Sequence, residues 1–370
     1  MRDFEVLIVG AGPAGATAAL NLASTRRVGL IDLRPDVPLR IGESLPPAAR
    51  RLLTDMGLFE DFASQGHSPC FGNRAAWGSS TPFETDFLGD PDGHGWHLDR
   101  TRFDGWLRKT AIERGAELLA PARLQSIQWD DGRWKSQFES DGPPMKITAN
   151  FVIDAGGRAA PVATRLGAHR QKQDGLVCGW LHGDAQNLGA AAGLTYVEAS
   201  EDGWWYTTAV PGSRRVLAFH TDADLPAARM AADPQALLAR ARATDELARV
   251  LAECEFAPQR SGFSTAHTLA VDPCAGRAWL AVGDAALSFD PLSAQGLLNA
   301  LFTGLAGAEA VDRYLSGCDD ALSDYVETVA RIRLAYQRHI SFWYRAETRW
   351  PQSPFWQRRH QGIWEPMGSN

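Results

Sequence analysis

Three observations predict an α/β fold: a Rossmann-like nucleotide-binding sheet with a β-sheet domain inserted into it and a helical C-terminal segment. First, three short apolar runs of the kind that form buried parallel strands lead straight into glycine turns. These are Phe4–Val9 into Gly10-Ala11-Gly12-Pro13-Ala14-Gly15, Phe151–Ala155 into Gly156-Gly157, and Trp279–Val282 into Gly283-Asp284. Second, strand-rich stretches at 67–98 and roughly 175–221 lie between them. Third, from Asp319 to about Ala346 the chain reads as helix, followed by an aromatic, irregular tail.

The first turn has the Gly-x-Gly-x-x-Gly spacing, with a strand before it and an Ala-rich helix after it. In such a turn Gly10 makes the bend, Gly12 lets a pyrophosphate approach the backbone and Gly15 lets the helix pack closely. Pro13 and Ala14 open the helix, whose N-terminus offers unpaired N–H groups to phosphate. A second strand, Val28–Ile31, ends in Asp32, close to the ~20-residue spacing of a ribose-binding acid. Arg34 begins the loop beyond it, and the chain is expected to bind a dinucleotide.

Ile41-Gly42-Glu43-Ser44-Leu45-Pro46-Pro47 precedes a helix over Ala48–Met56. Ser44 either caps that helix or lies with Glu43 over the dinucleotide. Residues 67–98, ending in Gly93-His94-Gly95-Trp96-His97-Leu98, look like strands and loops. Helical spacing returns over Arg100–Gly115. Arg100 opens that helix, where a cation disfavours the dipole unless a phosphate or a salt bridge offsets it. Short strands follow at Glu117–Leu119, Leu124–Trp129, Trp134–Glu139 and Lys146–Thr148. A helix-rich stretch ends near Glu253, and a long Ala/Leu/Gly helix starts near Gly296. The expected division is 1–66, 99–174 and 271–318 for the nucleotide, 67–98 and 175–270 for substrate or partner, and 319–370 as C-terminal segment.

The formal charge of −7 argues against nucleic acid or an anionic membrane as partner. The five cysteines, widely scattered with no C-x-x-C pair, suggest neither a metal site nor a disulfide framework. No run is long enough to span a bilayer, and a reducing cytoplasm is the expected compartment. No lysine occurs before Lys109.

Nucleotide-domain pieces dispersed through a chain resemble the FAD-binding fold of the aromatic hydroxylases and flavin-dependent halogenases. That resemblance places Asp284 on the ribityl–pyrophosphate part of FAD. It sets Asp290-Pro291-Leu292-Ser293-Ala294-Gln295-Gly296, with Leu297 after it, beside the flavin ring. The positive end of the helix at Gly296 would then face the N1/C2=O edge and stabilise negative charge on reduced flavin. Ala155 and Arg158 depart from the hydroxylase pattern, and no second Gly-x-Gly-x-x-Gly is present. The reductant is therefore open: NAD(P)H directly, or a separate reductase.

Four stretches narrow the resemblance: Ile41–Pro47, Gly93–Arg100, Gly203-Trp204-Trp205-Tyr206 and Arg349-Trp350-Pro351-Gln352-Ser353-Pro354-Phe355-Trp356. With Gly283–Gly296 they make the chain similar to the LodB/GoxB group of flavoproteins and, less closely, QhpG, which are needed to make tryptophylquinone cofactors in other proteins. The resemblance implies a FAD-dependent monooxygenase that uses O2 to hydroxylate a tryptophan of a partner. The partner would be the precursor of a quinone-cofactor amino-acid oxidase or amine dehydrogenase. Glu43, His97 and Asp290 are the candidate catalytic groups, and Trp204, Trp205 and Tyr206 the candidate substrate wall. The alternatives are a monooxygenase or halogenase of a free indole or phenol, and a flavin-bound assembly chaperone. Halogenases of this fold need an early lysine and a Glu/Thr pair after the Asp-Pro. This chain has Phe71-Gly72-Asn73-Arg74, Ser293 and Gln295 there, and arginine cannot do the lysine's chemistry. The aromatic segments at 203–206, 342–344 and 350–356 are either core or anchors for a protein substrate.

Overall fold

A computed structural model describes residues 2–361; positions 362–370 of the expected C-terminal segment lie outside them. The first strand, Arg2–Val9, sits in the middle of an eight-stranded sheet. Val6, Leu7, Ile8 and Val9 are buried because the strand has parallel neighbours on both edges, Met145–Asp154 and Val28–Ile31. Glu117–Leu119 and Trp279–Ala281 extend the parallel sheet outward. The strand order reverses at Arg2–Val9, so a crevice opens beyond its carboxyl end, where doubly wound sheets bind ligands.

Two elements differ from the expectation. Lys146–Thr148 and the Phe151 run form one ten-residue strand, Met145–Asp154, since Ala149-Asn150 between them carries no turn signal. Met145–Ala149 pairs antiparallel with Arg133–Ser140 on one edge, while Ile147–Asp154 runs parallel to the first strand on the other. The tail is not irregular throughout, because Pro354–His360 is helical with proline in its first turn.

The second large sheet has seven strands in the order Ala257–Thr265, Leu176–Asp184, Arg214–Asp222, Gly203–Val210, Leu194–Ser200, Gly72–Ala76 and Phe83–Asp86. The segments at 72–86 and 176–265 thus meet in one sheet, through the parallel pairing of Gly72–Ala76 with Leu194–Glu198. A separate apolar core of Leu181, Trp205, Leu217, Phe219, Leu247 and Leu251 fills its outer face. Ser44–Leu45, Gly95–His97 and Ser68–Cys70 make a small sheet between the two large ones. The helix Gly296–Leu315 lies against Pro13–Leu22. A Cβ on Gly304 would stand 2.6 Å from the Ala14 carbonyl oxygen, so glycine sets that close approach. Among the described residues no helix is long and apolar enough to cross a membrane, and the five cysteines are unpaired.

Candidate functional site

A continuous cleft of about 1750 Å³ runs from the first glycine turn to the inner face of the seven-stranded sheet. Gly10 takes φ +113°, and a Cβ there would strike the Ala155 carbonyl oxygen at 2.2 Å. A Cβ on Gly12 would meet nothing within 4 Å, so this backbone faces open space at the helix N-terminus. Pro13 and Ala14 line the same end, while Gly15 lies behind it, where a Cβ would stand only 1.8 Å from the Gly10 carbonyl oxygen. Asp32 accepts hydrogen bonds from the Ala11 and Arg34 amides at 2.7 and 3.0 Å and pairs with Arg108 at 3.4 Å. Arg34 itself is exposed on the cleft rim.

Midway along, Ile41–Pro47 forms one wall. Arg100 is buried and forms a two-point ion pair with Asp104 at 3.0 Å. Its remaining nitrogen donates to the Ile41 and Gly42 carbonyls. The helix-start penalty is met by a carboxylate one turn on, and Arg100 clamps the wall in place. Ser44 does not cap the following helix; its hydroxyl is 3.5 Å from that of Thr195.

Asp284 lies opposite, paired with Arg158 at 3.2 Å. Arg158 also reaches the Phe289 carbonyl. Asp290 is buried and accepts from the Tyr344 hydroxyl at 2.6 Å and the Leu292 amide at 2.9 Å. Burial, with Asp174 nearby, pushes its carboxyl up to about 7. The bond to Leu292 caps the 3-10 turn Pro291–Ser293, which feeds through Gln295 into the helix at Gly296. Pro291, Gln295, Gly296 and Leu297 all line the cleft, with open space over Gly296.

The far end is a chamber against the seven-stranded sheet. Tyr206 donates to Glu43 at 2.6 Å, and the Gly42 amide donates to the same oxygen at 2.9 Å. Burial holds the Glu43 carboxyl above its usual range despite that bond and nearby Arg100. Trp204 stacks flat on His220 at 3.8 Å, and its indole N–H has no partner among the described residues. Along one strand side chains alternate, so Trp204 and Tyr206 face the cleft whereas Trp205 faces the outer core against Phe219. Trp205 is therefore not part of the chamber wall. Nor does His97 reach it: the ring is fully buried, bonded to Thr195 at 2.9 Å, and desolvation lowers it to about 3. The sequence pattern missed this because His97 lies on the small bridging sheet, beneath Ser44.

The aromatic tail is core. Trp356 and Phe355 have no exposure, and the Trp356 indole donates to the Ser200 carbonyl. Arg359 lies 3.5 Å over the Phe355 ring and pairs with Asp222 at 2.8 Å. Phe342, by contrast, is 64% exposed, and Trp343 stands at the chamber mouth, parallel to Phe83.

Several site residues escaped the sequence. Arg108 follows Arg100 and Asp104 at four-residue steps, a buried polar stripe that helical spacing could have exposed. His220, Arg158 and Tyr344 depend on pairings distant in sequence. An FAD molecule fits this architecture: the Gly12 backbone is bare, carboxylates stand at Asp32 and Asp284, and a helix N-terminus faces the middle of the cleft. The volume exceeds the ~300–1,000 Å³ of ordinary ligand sites, leaving room for a substrate.

Comparisons with known proteins agree. The chain is 28% identical over 365 residues to LodB of Marinomonas mediterranea, named as a FAD-dependent oxidoreductase, covering 97% of this chain and 98% of that one. Two solved structures share the fold. The myxobacterial chondrochloren halogenase CndH superposes with TM-score 0.88 at 21% identity, over 97% of this chain and 86% of its own. The peptidyl tryptophan dihydroxylase QhpG, essential for tryptophylquinone cofactor biogenesis, gives 0.76 at 23%, over 99% and 80%. Residues 3–302 match the FAD binding domain family, and the chain belongs to that family as a FAD-dependent oxidoreductase.

Proposed function

We propose that this enzyme is a monooxygenase that hydroxylates a tryptophan side chain in the precursor of a partner oxidase, during formation of a tryptophylquinone cofactor. The observation that carries the reading is the single cleft joining the glycine cradle to an aromatic chamber. Its mouth, at Trp343 and Phe83, opens to the surface. End-to-end likeness to LodB and the shared fold with QhpG support it. No lysine lines the cleft among the described residues, which weighs against halogenation.

In this reading residues 1–66, 99–174 and 271–318 hold FAD, 67–98 and 175–270 shape the chamber, and 319–361 braces both. Gly12, Pro13 and Ala14 receive the pyrophosphate, Asp32 and Asp284 the hydroxyls, and Gly296 the ring edge. Arg34, Ser44 and Arg100 act at the cofactor's margin, Arg100 by fixing the 41–42 backbone. Bound FAD, once reduced, supplies oxygen activated from O2. The chain's own groups orient the acceptor and exclude water. Trp204 and Tyr206 flank an indole, and buried aromatic walls keep the chamber dry. Asp290, titrating near neutrality, is placed to take or return a proton within this dry site. Glu43, whose carboxyl burial holds above its usual range, is the second such group. The test is mass spectrometry of the oxidase precursor expressed with and without this enzyme. Added oxygen on one tryptophan only in the co-expressed sample is expected; identical masses would refute the reading.

A further inference from the structure

The helix Ala321–Ala346 presents one face to the cleft mouth, through His339 and Trp343, and an adjacent face to solvent. On the solvent face Arg331, Leu334, Arg338, Phe342 and Arg345 recur at three- and four-residue steps. Such spacing keeps them within a stripe about 100° wide. Leu334 is 54% and Phe342 64% exposed, large for apolar side chains on one helix. All three arginines are exposed, and none has a carboxylate within ion-pair distance among the described residues, Glu327 one turn away included. Elsewhere arginines of this acidic chain pair readily, as Arg249, Arg313 and Arg358 do on the surface. Phe342 contacts Trp343 edge-on at 5.4 Å, so the stripe runs on into the chamber rim.

Resting on the reading of a protein substrate, we propose that this stripe docks an acidic, apolar-anchored segment of the partner precursor and delivers the neighbouring tryptophan into the chamber. Arg331 donates to the Thr328 hydroxyl at 3.1 Å, but arginines without a carboxylate partner beside exposed aromatic and leucine side chains are the composition of interfaces, and their charge selects a negative partner. Phe342 and Leu334 supply anchors; the arginines set sign and register.

The test uses the full FAD-loaded enzyme, the unmodified oxidase precursor, and vesicles containing phosphatidylserine as a competing anionic surface. The charge-reversed triple variant Arg331→Glu, Arg338→Glu, Arg345→Glu and the single variant Phe342→Ala are compared with the parent. Both variants touch only exposed positions, so unchanged flavin content and melting temperature are expected. Precursor affinity should fall at least tenfold in each, ~1.4 kcal/mol or more, and the parent's affinity should weaken with salt. Turnover of precursor should fall while flavin reduction is unchanged. Parent-like affinity and turnover in both variants, with the parent still modifying the precursor, would overturn the docking proposal alone. Loss of vesicle binding without loss of precursor binding would overturn it too, as a membrane face. A parent that neither binds nor modifies the precursor would take down the function reading and this inference together.

Discussion

The 2.6 Å bond from Tyr206 to Glu43 holds two buried polar groups at the chamber wall. Replacing Tyr206 with Phe removes the shorter of the two hydrogen bonds described for the carboxyl and keeps that from the Gly42 amide. A stability loss of about 1–3 kcal/mol is expected in urea titration, and no loss would show that the pair is not a constraint. Asp290 makes a pH prediction. Its folded pKa, about 7, lies above the ordinary value because burial favours the neutral acid. Its contribution to stability is thus fully present below the unfolded value of about 4 and is lost as pH rises through about 7. In Asp290→Asn that pH dependence should vanish, so the parent-minus-variant stability difference should fall between about pH 4 and 7. A flat difference would contradict the assignment. The residues that carry these effects were only partly legible. Glu43 and Asp290 stand in recognisable turns, but their partners Tyr206 and Tyr344 lie 163 and 54 positions away, where no local pattern reaches.

Elements were more legible than residues. The strand, glycine turn and helix at 4–22 are local structures whose spacing is dictated by backbone sterics, so their placement followed from sequence. The two glycines there should behave differently. Gly12→Val has open space around its Cβ, so folding should survive while FAD occupancy after reconstitution collapses. Gly15→Ala would force a Cβ to 1.8 Å from the Gly10 carbonyl, so its melting temperature should drop first. Equal melting losses in both variants would contradict the distinction. The Gly203–Tyr206 strand shows what was readable but unread: alternation alone separates Trp205 from Trp204 and Tyr206. His97 was not readable in this way, because its burial comes from a three-residue strand squeezed between two sheets.

At the scale of the whole molecule, the tail ties the seven-stranded sheet to the helix Ala321–Ala346. Trp356 packs on Trp77 and bonds to Ser200, while Arg359 ties Asp222 to the helix that carries Tyr344. Trp356→Ala should therefore cost ~3–5 kcal/mol of stability in denaturant unfolding, and an unchanged midpoint would contradict its place in the core. Aromatic content could not separate core from surface here, since tail and rim share one composition; only packing assigns Trp356 inside and Phe342 outside. The proposed reaction transfers oxygen from O2 to a protein tryptophan. The most direct measurement is mass spectrometry of a purified precursor treated with reduced, FAD-loaded enzyme under isotopically heavy oxygen gas. Heavy oxygen on a single tryptophan is the predicted result. An unlabelled precursor with oxygen consumed only to hydrogen peroxide, or label appearing only on a free indole, would contradict it.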